Sequence, residues 1–194
     1  EFLPPFLFLA VGWSLVWLAL LLPVLLGFGL VLVAIGWALV ARILTRIASL
    51  PALGREHIRY VALAAWLGVA ALGCYLLLAI NGDPAWGRLG TTLTIWGFLL
   101  PVFATVAHRM LPFFTSAVIR GYVVHRPVWA LRVLLAAGLG HGLFSFLDLA
   151  RWLWLTDLPA LVASGHLAWR WWNRAVVSNR MVLVLHLAFA WVPV

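Results

Sequence analysis

The sequence predicts an all-α fold, a polytopic bundle of transmembrane helices, and three observations support this prediction. Hydrophobic residues make up 66% of the 194 residues and charged residues only 9%, whereas about 25% of the residues in a typical soluble domain are charged. The apolar residues form runs of up to about twenty, the length at which a helix crosses a bilayer. The arginines lie in the gaps between these runs. We therefore expect residues 1–194 to form a single transmembrane domain surrounded by lipid.

About seven candidate spans follow from the positions of the apolar runs. A break around Pro23 separates the first span from the second, and the arginine-rich segment 42–59 follows the second. The third span ends at a loop, residues 81–88, whose Asn-Gly pair and Pro84 favour turns. The predicted spans are residues 6–22, 28–43, 60–80, 89–107, 127–147, 158–172 and a seventh from residue 181 onward.

Prolines and tryptophans modify the later spans. Pro101 lies inside the fourth span, where its missing N–H should kink the helix. Residues 108–126 should form a polar connection to the fifth span, because Pro112 resists simple continuation of a helix. Residues 148–157 are amphipathic and rich in tryptophan, which is typical of an interfacial segment. The chain begins without Met and ends inside an apolar run, so we expect a fragment, incomplete at both ends, of a longer protein.

The basic residues, all of them arginine, test this topology, because cytoplasmic loops of membrane proteins carry an excess of Lys and Arg. If the segment 42–59 is cytoplasmic, eleven arginines lie inside and only Arg88 and Arg151 lie outside. This asymmetry supports both the orientation and the number of spans. The arginines predicted on the inner side are Arg42, Arg46, Arg55, Arg59, Arg109, Arg120, Arg126, Arg132, Arg170, Arg174 and Arg180.

Several functional classes are disfavoured by what the sequence lacks. The arginines do not form one basic patch, so nucleic-acid binding is not expected. Cys74 is the only cysteine, which excludes a disulfide framework and a cysteine-based zinc site. The sequence has no glycine-rich phosphate loop and no Ser/His/Asp set at a usable spacing, and no predicted span contains a carboxylate. It therefore predicts no conventional enzymatic activity and no proton relay built on intramembrane carboxylates.

Three histidines, His141, His166 and His186, fall inside predicted spans, where an ionisable group is costly and indicates function. His141 lies seven residues before Asp148 and His166 lies eight residues after Leu158. At 1.5 Å per residue, these offsets of roughly 10 and 12 Å place both imidazoles at similar depth. Two facing histidines in a helix bundle can bind a haem iron axially or form part of a copper site. Each can equally be a neutral histidine bonded to a neighbouring carbonyl, and both interpretations stay open.

Other polar residues have plainer interpretations. His57 and His125 lie in arginine-rich inner loops, where interfacial histidines near lipid headgroups are expected. Arg132 can extend its guanidinium to the membrane surface or pair with a haem propionate. His186 enters its helix from the inner side, near Arg180, so its depth should differ from that of the other two intramembrane histidines.

Two segments resemble signatures of the NnrS family of polytopic bacterial membrane proteins. AHRMLPFFTSAVIRG, residues 107–121, is similar to the family's Arg-(apolar)2-Pro-Phe-(Phe)-Thr stretch after a membrane span. LHLAFAWVPV, residues 185–194, is similar to a second family stretch, Leu-His-Leu-aromatic-Ala-Trp-apolar-Pro. The two segments lie in the family's order and at the family's separation of about seventy residues.

The resemblance implies a haem- and copper-containing protein of the bacterial inner membrane, with about twelve spans, associated with denitrification and the nitric-oxide response. It implies a haem or copper ligand role for His186. Site or structural roles are implied for Arg109, Pro112, Phe113 and Thr115. The family's early His-x-His-Glu-Met motif does not occur here, so we expect part of the metal site to lie in a missing N-terminal half of the same protein.

These observations lead to one main hypothesis and one alternative. The main hypothesis is a haem- and copper-binding membrane protein with nitric oxide as its ligand, in which His141, His166 and His186 bind the haem and the metal. Arg109 would hold a haem propionate or a phospholipid phosphate through its planar set of donors. His108 is a further candidate metal ligand, although many family members have glycine at its position. The alternative is a cofactor-free transporter or channel whose intramembrane histidines line a polar path.

Overall fold

The computed structural model describes residues 2–51 and 55–192, and this part of the chain is helical with no strand. The prediction of an all-α fold is therefore confirmed. The helices are α1 (Leu3–Leu18), α2 (Leu25–Ser49), α3 (Arg55–Asn81), α4 (Pro84–Thr92), a π-helical segment (Leu93–Leu99), α5 (Leu100–Val118), α6 (Val128–Phe146), α7 (Trp154–Trp171) and α8 (Arg180–Ala190), with short 3-10 turns at Ala150–Trp152 and Arg174–Ser178.

Four of the described helices are long and apolar enough to cross a membrane. They are α2, α3, the continuous helix Pro84–Val118 and α6. The first and seventh predicted spans correspond to the shorter apolar helices α1 and α8. The sixth predicted span, residues 158–172, overlaps α7 (Trp154–Trp171). The chain is therefore a membrane protein, with the predicted spans found as helices and four of them meeting the length and hydropathy of a full crossing.

Contacts between residues divide the chain into two helical units, residues 1–99 and 100–194. In the first unit, α1 and α2 pack closely because small residues face each other. A Cβ atom added to Gly29 would lie 2.9 Å from the carbonyl oxygen of Gly12. Such close backbone approach through small residues is how helices associate in lipid, where no hydrophobic force draws them together.

The turn predicted at residues 81–88 is much shorter in the structure. Only Gly82 and Asp83 lie outside a helix, because Asp83 caps the next one. The Asp83 carboxylate accepts a hydrogen bond from the Ala85 N–H at 2.9 Å, and Pro84 occupies the first turn of α4. Both are favoured helix-start residues, so the turn-forming composition marks the beginning of a helix rather than a long loop.

The predicted connection at residues 108–126 is wrong in its first half. The helix Pro84–Val118 continues through Pro112, which is buried inside α5. A membrane offers no water to satisfy the backbone groups of an unwound segment, so helices there tolerate proline. The non-helical connection is reduced to residues 119–127. The irregularity near Pro101 takes the form of the π-helical segment immediately before α5.

In the second unit, α6 and α7 form an antiparallel hairpin, and α5 and α8 pack beside them. Trp171 is fully buried in the shared core. The segment 148–157, predicted to be interfacial, includes the first turn of α7, which begins at Trp154, and its interfacial position stays a prediction. The buried residues of this core are Ala107, Leu111, Ala130, Ala163, Leu167, Trp171 and Phe189.

Candidate functional site

The second unit contains a buried contact between α5 and α8 that joins two polar side chains. Thr115 is fully buried on α5, and His186 is 5% exposed on α8. The Thr115 Oγ1 and the His186 Nε2 lie 3.0 Å apart, although 71 positions separate the two residues in the chain. The edge of the Trp172 ring faces the same imidazole, with 6.0 Å between the ring centroids.

The hydrogen bonds around Thr115 determine which ring nitrogen of His186 donates. The single hydroxyl proton of Thr115 is donated to the Leu111 carbonyl at 2.8 Å. The Thr115 oxygen can then only accept from the histidine, so the His186 Nε2–H donates to it. In the neutral ring this leaves the lone pair on Nδ1. Metal-binding histidines are held in the same way, with one nitrogen donating to a fixed acceptor and the other facing the metal.

His141 forms a second polar contact, at the start of α7. Its Nδ1 lies 2.6 Å from the Asp157 Oδ1, and the side chains are 23% and 51% exposed. Because a carboxylate accepts, Nδ1–H donates, and the lone pair of the neutral ring lies on Nε2. Asp157 was expected to lie outside the spans, whereas it lies in the first turn of α7 as the partner of a histidine.

The expected pairing of His141 with His166 is wrong. His166 packs against Trp129, with 5.1 Å between the ring centroids. Trp129 lies at the opposite end of α6 from His141, so the two histidines are about 18 Å apart along that helix. The prediction failed because it took Asp148 and Leu158 as level with each other, whereas the structure places Asp157, nine residues before His166, level with His141.

The structure brings His166 close to His125, which was expected to be an interfacial histidine near lipid headgroups in an arginine-rich inner loop. The ring centroids of His125 and His166 are 6.4 Å apart, and both side chains are half-buried. Sequence spacing gave no signal for this pair, because His125 lies in the irregular connection that precedes α6. The two rings form a close histidine–histidine contact.

His108 is fully buried and helps to hold the connection 119–127 in place. Its Nε2–H donates to the Pro127 carbonyl at 3.2 Å, and its ring meets Trp171 edge-on at 5.8 Å. The Trp171 indole N–H donates to the His125 carbonyl at 2.8 Å. The Tyr122 hydroxyl donates to the Trp171 carbonyl at 3.2 Å, and burial raises the pKa of Tyr122 above its ordinary value. These contacts give His108 a structural role, while its predicted metal role stays a prediction.

Three other predicted site residues, Arg109, Phe113 and Arg132, lie on the surface of the second unit. Arg109 is exposed on α5, and Arg132 is exposed near the start of α6. Phe113 is also exposed, with its ring 5.5 Å from that of Phe114. The propionate or phosphate contact expected of Arg109 stays a prediction.

The donor chemistry suits haem iron or copper, but the described residues do not assemble a complete site. Neutral imidazoles are ligands for both metals, and His141 and His186 are each oriented by an acceptor. Among residues 2–51 and 55–192, no three potential metal-binding side chains come together.

A groove of about 410 Å³ between α5 and α8 is lined by apolar side chains, among them Phe103, Met110 and Phe189.

These features define the chain as a polytopic α-helical membrane protein with oriented, partly buried histidines in its second unit. The profile of the family described as "NnrS protein" matches residues 3–194, so the chain belongs to the NnrS family. No curated protein and no solved structure matches the chain.

The two segments that carried the family resemblance are also the segments that meet in the structure. Residues 107–121 contain Thr115, residues 185–194 contain His186, and these two side chains form the buried hydrogen bond. The resemblance implied roles for both residues, and the structure adds the contact that connects them.

Proposed function

We propose that this chain is part of a haem- and copper-binding protein of the bacterial inner membrane that responds to nitric oxide. Membership of the NnrS family supports the proposal, and the oriented histidines of the second unit supply suitable ligands. Haem iron and copper both bind nitric oxide, which is the chemistry that the cofactors would contribute. The protein would act by binding or slow redox turnover of nitric oxide rather than as a conventional enzyme.

The observation that carries the proposal is the hydrogen bond between Thr115 and His186. It holds the Nε2–H of the buried His186 on the Thr115 oxygen, so the lone pair of the neutral imidazole lies on Nδ1. A histidine held by one acceptor presents its other nitrogen in a fixed direction, which is the arrangement that metal-binding histidines share. His141, held by Asp157, is the second oriented ligand of the proposal. His166, whose ring packs against Trp129, is the third proposed ligand.

The described histidines are separate donors, so the proposal requires further ligands. His141 and His166 lie at opposite ends of the α6–α7 hairpin, and His186 lies on α8. Each would therefore bind its own metal or complete a site with donors from elsewhere. We propose that those donors come from an additional N-terminal segment of the same protein.

The test is the visible absorption spectrum and the metal content of the purified full-length protein. We expect a haem Soret band and bound copper. His186→Ala and His141→Ala should each reduce the occupancy of one cofactor, and His166→Ala tests the third ligand in the same way. Thr115→Val should weaken the affinity at His186 by roughly 10- to 100-fold, because it removes the group that orients the ligand.

Thr45 provides a matched control for Thr115. Its hydroxyl donates to the Ala41 carbonyl at 2.8 Å and accepts from the Trp66 indole N–H at 3.1 Å. The hydrogen-bond pattern is the same, but the partner is an indole, which is not a metal ligand. Thr45→Val should therefore leave the spectrum and the metal content unchanged.

A folded full-length protein that is colourless and metal-free would refute the proposal. A transporter or channel would then be the better interpretation, and flux measured in liposomes would replace the spectrum as the assay. Normal cofactor content in all three His→Ala variants would refute the ligand assignment while leaving the family assignment intact.

A further inference from the structure

The first helical unit contains a pocket that the metal proposal does not use. It has a volume of about 210 Å³ and lies among α1, α2, α3 and the π-helical segment. Aromatic rings form much of its wall, and hydroxyl groups lie along one part of it. The side chains that matter here are Trp13, Trp37, Tyr75, Thr94 and Phe98. None of these residues belongs to the unit that contains the proposed ligand histidines.

The π-helical segment shapes this pocket. It spans Leu93–Leu99 and contributes both Thr94 and Phe98 to the lining. Single turns of π-helix inside longer helices occur frequently at functional sites, since they change the direction in which side chains project. The Phe98 ring lies edge-on to Trp37 at 5.0 Å, which fixes one wall of the pocket.

A glycine on the facing helix makes room for that wall. A Cβ atom added to Gly68 would lie 3.0 Å from the Phe98 ring. This distance is shorter than ordinary van der Waals contact, so even an alanine would displace the ring. The position of Phe98, and with it the shape of the pocket, therefore depends on glycine at this position.

The hydroxyl groups give the pocket one polar side. The Thr94 hydroxyl donates to the Gly90 carbonyl at 2.8 Å. The Tyr75 hydroxyl oxygen lies 3.2 Å from that of Thr91 and 3.5 Å from that of Thr94. Because a hydroxyl carries one proton and two lone pairs, the Tyr75 O–H can turn to donate to an acceptor in the pocket while its oxygen still accepts from Thr91.

We propose that this pocket binds the head ring of a membrane quinone. A cavity of about 150 Å³ with apolar walls is known to hold benzene, so 210 Å³ accommodates one substituted ring. Offset and edge-to-face contacts with Trp37 and Phe98 favour a flat aromatic or quinoid ring over a flexible chain. The Tyr75 hydroxyl supplies a donor to a quinone carbonyl, and the surrounding span restricts ligands to those that dissolve in lipid.

The experiment measures binding of decylubiquinone, a benzoquinone with a ten-carbon tail, to the purified full-length protein in lipid nanodiscs. Photolabelling with an azido derivative, followed by mass spectrometry, should modify residues of this pocket. Tyr75→Phe keeps the ring and removes the donor, so we expect affinity to fall about three- to tenfold. Gly68→Ala should reduce affinity by displacing Phe98, which forms one wall of the pocket.

Tyr60→Phe is the matched control, because Tyr60 lies on the same helix as Tyr75 and does not line the pocket. It should bind the quinone as the unmodified protein does. Thr94→Val, a second variant on another element, tests the polar side independently if Tyr75→Phe fails to fold.

Three results would overturn the inference. They are labelling outside the pocket, unchanged affinity in both folded hydroxyl variants, and equal competition by decanol, which has the tail without the ring. The last result would identify the pocket as a site for acyl chains. Because the proposed ligand histidines lie in the other unit, quinone binding and cofactor content succeed or fail separately.

Discussion

The hydrogen bond between Thr115 and His186 makes a quantitative prediction about stability. Valine has nearly the shape of threonine, so Thr115→Val removes the hydroxyl without leaving a cavity. The His186 N–H, in a side chain only 5% exposed, then has no acceptor at that position. Leaving a buried donor unpaired costs about 1–3 kcal/mol. Leu111 also loses the hydroxyl donor to its carbonyl. We therefore expect Thr115→Val to destabilise the apoprotein by about 1–3 kcal/mol.

A double-mutant cycle isolates the part of this loss that belongs to the pair. His186→Leu removes the donor and puts an apolar side chain in its place, so Thr115→Val should lower the stability less in that background. Hydrogen bonds between membrane helices average about 0.6 kcal/mol in such cycles and reach about 1.7 kcal/mol. The coupling energy between Thr115 and His186 should lie between about 0.6 and 1.7 kcal/mol.

The assay is reversible unfolding of the metal-free protein in mixed micelles, followed by circular dichroism for the two single variants and the double variant. Thr45→Val, which loses an equivalent hydrogen bond to Trp66, gives the cost of the same change outside the histidine pair. Additive effects of Thr115→Val and His186→Leu, within about 0.3 kcal/mol, would show that the two side chains do not interact and would refute the reasoning.

Three further predictions concern the second unit. Asp157→Asn should cost less than about 1 kcal/mol of stability in denaturation measurements, because the Asp157 carboxylate is half exposed. It should also weaken the binding of any metal held by His141, as measured by metal titration. A loss of stability with unchanged metal affinity would contradict a ligand role for His141. Trp171→Phe should destabilise by about 1–3 kcal/mol, because it leaves the carbonyl of the connection without its indole donor; wild-type stability in unfolding measurements would contradict this. Burial raises the pKa of Tyr122, so its stabilising effect is complete below the ordinary tyrosine pKa of about 10 and declines as pH rises through the folded-state value. Tyr122→Phe should remove that part of the alkaline decline in an unfolding series, and an identical decline would refute the assignment.

The helical regions were predictable because hydropathy is a local property. Each of the seven apolar runs became a helix, and α6 ended within a residue of its predicted limits at both ends. The rule that failed was also local. Pro112 was taken as a helix terminator, but inside a membrane the cost of unpaired backbone groups outweighs the loss of one hydrogen bond.

The site was less predictable, because it depends on which residues lie level on neighbouring helices. Starting α7 at Leu158 instead of Trp154 is an error of four residues, or about 6 Å along the axis. The match of His141 with His166 instead of Asp157 is an error of nine residues, or about 13.5 Å, so the misplaced start of α7 accounts for only part of it. The neighbours His125 and His166 were missed because no periodicity connects an irregular segment to a helix.

The wide separation in sequence between Thr115 and His186 has a consequence for the order of folding. The α6–α7 hairpin closes over a short turn, so its two helices can pair early once they are inserted. The contact between Thr115 and His186 closes a loop of 71 residues and therefore carries a larger entropic cost. The oriented imidazole exists only after α8 has docked against α5. A metal that binds this imidazole selects the completed arrangement over partly assembled ones, and so stabilises the last step of assembly.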